Sequence, residues 1–206
     1  NVGRAVLASS CAVYGNDPRL PKEESMLPMP ASPYAVHKLA GEHYFRVYSE
    51  LFGIHTACLR FFNVFGPRQD PSSPYSGVIS IFMTKASANT APSIFGDGNQ
   101  TRDFIYVKDV VNALLLAAST DCRPGEVYNI GNGDQITINR LWELIADISD
   151  QALTPEYLPA RSGDILHSVG NIDKARKLLG FESKTSLERG LELTLEWYKK
   201  QMTEGR

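Results

Sequence analysis

Apolar and polar positions along this chain fall into two periods, and the switch between them marks the elements. Residues 4–8 (RAVLA) form a short apolar run that ends in Ser9-Ser10-Cys11, which predicts a buried strand. Residues 15–33 hold Gly15, Asn16, Asp17 and the prolines at 18, 21, 28, 30 and 33, a density that excludes regular structure. Next comes the clearest helix signal. Ser32 suits an N-cap, Pro33 suits the first helical position and Gly53 suits the stop after Phe52. The bracket predicts about 20 residues, or roughly 30 Å of helix. Its apolar side chains form two stripes, Val36, Ala40, Val47 and Leu51 on one and Tyr34, Phe45, Tyr48 and Phe52 on the other. A helix with two such stripes is expected to pack between layers rather than lie on a surface. Residues 54–61 (IHTACLRF) alternate and then run apolar, a second strand directly after the helix.

Strand, loop, helix and strand in that order make the repeating unit of a parallel α/β sheet. Downstream, residues 63–77 read as a Pro/Ser/Gly loop, Val78–Ala88 as a helix and Ser93–Phe95 as a short strand. Val107–Ser119 reads as an apolar helix and Glu126–Ile130 as a strand. Thr137 caps a helix that carries Ile138, Leu141, Trp142, Ile145 and Ile148 on one face. Asp173–Leu179, stopped by Gly180, and a helix from Ser186 to about Gln201 complete the set. No internal repeat interrupts the pattern.

Composition narrows the class. The 206 residues allow one large domain or two small ones, and 43% hydrophobic with 21% charged residues excludes a disordered chain and a coiled coil. Lys and Arg number 21 against 23 Asp and Glu, a net charge of −2, so there is no basic footprint for nucleic acid. The longest apolar run, Val110–Ala118, is broken by Asn112 and is too short to span a bilayer. Cys11, Cys58 and Cys122 are odd in number and lack C-x-x-C spacing, which points to a reducing, cytoplasmic setting. Asn1 leads into an apolar strand almost at once, so the chain reads as one entered partway through a domain.

Tyr34 and Lys38 are the first candidates for chemistry. One helical turn apart, they place a phenol and an ammonium about 5 Å from each other, close enough for the cation to favour the phenolate and make a base of it. Upstream, Ser10 stands at the C-terminal end of a parallel strand, where ligands of open α/β sheets bind. ASSCAVYG, SPYAVHKLAGE, LRFFNVFGPRQ, FGDGNQTRDFIYVKDVV and RSGDILHSVGNIDKARKLLGF follow in order. Together these five blocks resemble the extended short-chain dehydrogenase/reductase family, and within it the nucleotide-sugar 4-epimerases of the UDP-glucose 4-epimerase type, over essentially the whole chain.

The resemblance implies the C-terminal part of a Rossmann-type parallel sheet with helices, plus a smaller mixed α/β substrate-binding domain. Residues 1–62 and 101–131 would belong to the Rossmann part, and residues 63–100 and 132–206 to the substrate-binding part. It implies Ser10, Tyr34 and Lys38 as catalytic, with Tyr34 and Lys38 also holding NAD and Phe61 and Phe62 on the nicotinamide side. It implies a UDP-sugar held by Ser10, Cys11, Asn63, Val78, Phe95, Arg102, Arg161, Asp164 and Ser168. Asn63, Arg102 and Arg161 would grip the diphosphate, Phe95 would pack on the uracil and Asp164 would bind the ribose. Planar guanidinium forks suit phosphate oxygens, and an aromatic face suits a base. Taken singly, Arg102 beside Asp103 could equally be a surface ion pair, Phe95 a core aromatic and Asn63 a turn residue.

Dehydratases and decarboxylases of the family carry acidic residues after the strand serine, where this chain has Cys11 and Ala12. That favours epimerisation: hydride leaves sugar carbon four for NAD, a 4-keto sugar turns over, and hydride returns to its other face. Ser168 stands where the family has a gate beside the sugar's 2-substituent, and a small gate leaves room for an N-acetyl group. Cys11 reads as a wall residue, and His37, His43 and His55 have no partners at metal-ligand spacing. The family's G-x-x-G-x-x-G turn is not in these residues, and Gly131-Asn132-Gly133 lacks its spacing. By resemblance roughly the first 110 residues of an enzyme of about 310 to 320 are absent, a two-domain size. The alternatives are a non-catalytic sugar-nucleotide-binding or self-associating fragment, or another family member such as a dehydratase or decarboxylase. Exposed apolar surface at residues 4–8 also predicts a homo-oligomer.

Overall fold

In chain order the elements are β1 (Arg4–Ser10), α1 (Pro33–Phe52), β2 (His55–Phe61), β3 (Asn63–Phe65), α2 (Val78–Ser87), β4 (Ser93–Phe95), β5 (Thr101–Arg102), β6 (Phe104–Tyr106), α3 (Val107–Ser119), β7 (Glu126–Ile130), β8 (Ile136–Thr137), α4 (Ile138–Ser149), β9 (Glu156–Leu158), α5 (Asp173–Leu179) and α6 (Leu187–Glu204). This is a computed structural model; it describes residues 2–71, 77–121, 123–151, 153–161 and 165–204, without the side chains of Met202 and Glu204.

The sheet expected from the first two strands forms, with order β1-β2-β7 and every pairing parallel. Ser10 lies opposite Phe61, and Phe61 opposite Ile130, so the three strands end level. That register lines up Ser10, Phe61 and Ile130 at the carboxyl end, where a crevice in such a sheet opens. Ala57, Leu59, Tyr128 and Ile130 pack there with Val110 and Ala113 of α3 and with Ala175, Leu179 and Phe181 from the α5 segment.

Local signals place the helices accurately. Ser32 Oγ accepts the Ala35 N–H at 3.2 Å, and Gly53 closes α1 in the left-handed region (φ 65°) with its N–H on the Ser49 carbonyl at 3.1 Å. Thr137 Oγ1 accepts the Arg140 N–H at 3.1 Å and starts α4. A second core joins α2, α4 and α6 through Phe82, Trp142, Leu191 and Tyr198, with Phe82 and Trp142 edge to face at 5.4 Å between centroids.

Two expectations are corrected. α1 is not sandwiched: Ala35, Glu42 and Ser49 are its buried residues, whereas Tyr44, Tyr48, Leu51 and Phe52 are 67%, 50%, 69% and 64% exposed. The reason is topological. α1 packs on β1, β2 and the turn after β1, and among the described residues no element covers its Tyr44, Tyr48 and Leu51 side. Residues 63–77 do not begin as a loop either, because Asn63–Phe65 pairs in parallel with Phe104–Tyr106. β4 likewise pairs with β9, and β5 with β8. Strands of two or three residues carry no period of their own and exist only through the partner that distant sequence supplies. Among the described residues no helix is long and apolar enough to cross a membrane.

Candidate active site

β1 delivers Ser10 to the end of the sheet, where its Oγ accepts the Ala12 N–H at 3.2 Å and starts a single 3-10 turn, Cys11–Tyr14. α1 runs alongside, and Lys38 Nζ donates to the Ala8 carbonyl at 2.7 Å, two residues from Ser10. The same Nζ lies 5.5 Å from the centroid of the Tyr34 ring, as the one-turn spacing predicts. Tyr34 is 46% exposed.

A buried polar network stands behind these groups. Ser9 Oγ donates to Glu42 Oε1 at 2.5 Å, and Arg60 grips the same carboxylate with Nε at 2.9 Å and Nη2 at 2.7 Å. The Arg60 guanidinium also lies 4.7 Å from the Tyr14 ring centroid, and the Tyr14 hydroxyl donates to Asn129 Oδ1 at 2.6 Å. Burial pushes the Tyr14 phenol up to about 12, and burial followed by the nearby Asp103 charge pushes the Cys11 thiol up to about 12 as well. A thiol so raised stays protonated at neutral pH, in keeping with a wall residue. Glu42 and Arg60 escaped the sequence reading. The one local signal was a guanidinium inside a largely apolar strand, a charge that needs a partner when buried.

A cavity of about 450 Å³ opens between α2, β4 and the loop after β9. Asn63, Val78, Phe95, Arg102 and Arg161, drawn from five separate segments, all line it. The Arg161 guanidinium covers one face of Phe95 at 3.7 Å from the ring centroid. Arg102 Nη1 donates to the carbonyls of Thr101 at 2.9 Å and Leu166 at 3.3 Å. Lys85 and Gln100 also line the cavity, and neither was singled out from the sequence. Asn63 donates through both its backbone N–H (3.0 Å) and its Nδ2 (2.8 Å) to the Asp103 carbonyl.

The remaining candidates lie elsewhere. Ser10, Cys11, Tyr34 and Lys38 gather at the end of β1 and the start of α1, outside that cavity lining. Phe62 is buried against Val13 and Tyr14, and Phe61 is half-buried in the sheet core. Ser168 is 7% exposed, its N–H donating to the Thr101 carbonyl at 3.2 Å, which places it beside the strand that carries Arg102 and outside the cavity lining. Asp164 and Cys122 lie outside the described residues. Asp103 is no surface ion-pair partner of Arg102: it is fully buried and accepts backbone N–H groups from Asn132, Gly133 and Gly170. Among the described residues no group of three or more His, Cys, Asp or Glu could hold a metal ion.

Comparison with known proteins decides the family: the model of the NAD dependent epimerase/dehydratase family matches residues 1–131. The chain belongs to that family. Within the NAD dependent epimerase/dehydratase family it is 40% identical over 200 residues to a protein of Methanocaldococcus jannaschii named putative UDP-glucose 4-epimerase, covering 97% of this chain and 64% of the relative. It is 36% identical to the UDP-glucose 4-epimerase of Mycolicibacterium smegmatis, covering 93% of this chain and 61% of that one. Among solved structures it superposes with a TM-score of 0.94 on the UDP-N-acetylglucosamine 4-epimerase of Methanobrevibacter ruminantium in complex with UDP-N-acetylmuramic acid, at 40% identity, covering 98% of this chain and 64% of that chain. The UDP-glucose 4-epimerase of Thermotoga maritima with UDP-glucose gives 0.93 at 38% identity, covering 98% and 65%. The chain therefore spans somewhat under two thirds of the length of these relatives.

Proposed function

We propose that this chain carries the nucleotide-sugar site and the acid/base residues of an NAD-dependent UDP-sugar 4-epimerase. The observation that carries this reading is the cavity in which Asn63, Val78, Phe95, Arg102 and Arg161 meet although sequence separates them widely. Its volume of about 450 Å³ lies within the range of small-ligand sites. In this reading Arg102, Arg161 and Asn63 hold the diphosphate, Phe95 and Val78 hold the base, and Asp164 holds the ribose. We divide the chain into a sheet part (1–62 and 101–131) and a substrate part (63–100 and 132–206); two cores support this in outline, with α5 crossing back onto the sheet and Phe104 and Tyr106 packing in the other core.

At the sheet end, Tyr34 exchanges a proton with the hydroxyl on sugar carbon four, and Ser10 hydrogen-bonds the same oxygen. Lys38, held on the Ala8 carbonyl, keeps its Nζ beside the Tyr34 ring. The position of Tyr34 and the half-buried Lys38 at the sheet end fits the nicotinamide ribose, with Phe61 and Phe62 behind it; the glycine-rich pyrophosphate turn is not part of these residues. NAD, when bound, supplies the hydride acceptor and donor for carbon four. Cys11 and Ala12 in place of acidic residues favour epimerisation over dehydration. The likeness to the UDP-N-acetylglucosamine 4-epimerase of Methanobrevibacter ruminantium favours N-acetylated UDP-hexoses, and the uncovered face of α1 favours a homo-oligomer. Free thiols at Cys11 and Cys58 suit the cytoplasm.

Calorimetry of the chain with UDP tests the reading. One UDP per chain is expected, with UDP-N-acetylglucosamine bound at least as tightly as UDP-glucose and UDP affinity at least tenfold weaker in Arg102→Ala. No heat with UDP overturns the site.

A further inference from the structure

Asp103 is fully buried between Arg102 and Phe104 of the cavity lining, and three segments converge on it, one of which brings Asn63 to the cavity. Its Oδ1 accepts the Asn132 N–H at 2.7 Å, and its Oδ2 accepts the N–H groups of Gly133 and Gly170 at 3.2 Å each. Its carbonyl oxygen takes both donors of Asn63. Arg102 is its chain neighbour. The strap that ends at Gly170 reaches that arginine: Leu166 accepts from Arg102 Nη1 and from the Thr101 N–H (2.8 Å), and Ser168 donates back to Thr101.

We propose that Asp103 is a positioning residue that holds Asn63, Arg102 and the 165–170 strap in the geometry that binds a diphosphate. This rests on the nucleotide reading above.

The fit around Asp103 is close. A Cβ on Gly131 would stand 2.5 Å from Oδ2, so glycine is needed there for the turn to reach the carboxylate. Fold stability alone is a poor reason for such a group. Burial pushes its carboxyl up to about 6 even against three N–H donors, and a buried charge often stabilises less than an apolar side chain of the same size. What the carboxylate supplies is geometry, because two oxygens with several lone pairs can fix two loops at once. An asparagine amide can accept from Asn132 or from the Gly133 and Gly170 pair, but not from both.

The test uses the 206-residue chain, with UDP and uridine as calorimetric probes and amide hydrogen exchange as a second readout, for wild type, Asp103→Asn and Gly131→Ala. Wild type binds UDP more tightly than uridine. In both variants UDP affinity falls at least tenfold, toward that of uridine, while uridine affinity stays within twofold. Gly131→Ala does this with the carboxylate itself intact. In Asp103→Asn, exchange at Gly133 and Gly170 speeds at least tenfold while amides of β1 and β2 keep their protection. Unchanged UDP affinity, equal losses for UDP and uridine, or full protection at Gly133 and Gly170 overturns the proposal. A wild-type chain that binds no UDP overturns the nucleotide reading instead, and the exchange data then decide alone whether Asp103 holds the two loops.

Discussion

A carboxylate lifted to about 6 from an ordinary value of 3.8 binds its proton more tightly in the folded chain than in the unfolded one. The stability this contributes is fully present below pH 3.8 and is lost as pH rises through about 6. Comparison with Asp103→Asn isolates the effect, because every other titrating group is common to both chains. The wild-type urea midpoint is expected to fall relative to that of the variant between pH 4 and pH 7, and to run parallel to it above pH 7. Parallel curves throughout would show that Asp103 titrates as an exposed aspartate. At this scale sequence was a partial guide. Tyr34, Lys38, Arg102 and Phe95 could be singled out by residue type and motif, whereas Asp103 looked like half of a surface pair. Adjacent residues of a strand point to opposite faces, and nothing local says which face is covered.

Between elements, the Glu42 carboxylate joins β1, α1 and β2: it accepts from Ser9, sits one turn beyond Lys38 and pairs with Arg60, three residues before Asn63. Both side chains are about 95% buried (5% and 4% exposed). Glu42→Ala leaves the Arg60 guanidinium uncompensated, and a loss of about 3–5 kcal/mol is expected in chemical denaturation. A double variant, Glu42→Leu with Arg60→Met, is expected to recover most of it, since apolar replacement of a whole buried pair is often neutral. A single variant that melts like wild type would remove the pair from the account of how α1 is seated. The helices were legible because their signals are local: Ser32, Gly53, Thr137 and Gly180 cap or stop at the residues expected. β3, β5, β8 and β9 were not, because a ladder of two or three residues depends on a partner tens of residues away.

For the molecule as a whole, the uncovered side of α1 gathers several exposed apolar side chains. Tyr48 and Phe52 stand with centroids 5.1 Å apart, with Tyr44 and Leu51 alongside, and a pocket of about 290 Å³ opens between Tyr44, Tyr48 and Val2. Apolar patches of this kind mark interfaces. Sedimentation velocity is expected to show concentration-dependent association, reduced by Tyr48→Glu with Phe52→Glu; a clean monomer at high concentration counts against it. Sequence by itself determined the parallel α/β class, the helix boundaries, the family blocks and the residue types available for chemistry, because period, caps and motifs are short-range properties of the chain. Only the tertiary structure decided that Asn63, Val78, Phe95, Arg102 and Arg161 share one cavity while Ser168 lies outside its lining, that Asp103 is a buried tie, and that among the described residues one face of α1 is left uncovered. Those outcomes depend on which distant strands pair and which edges stay open, and pairing free energy is shared between segments rather than written in either one.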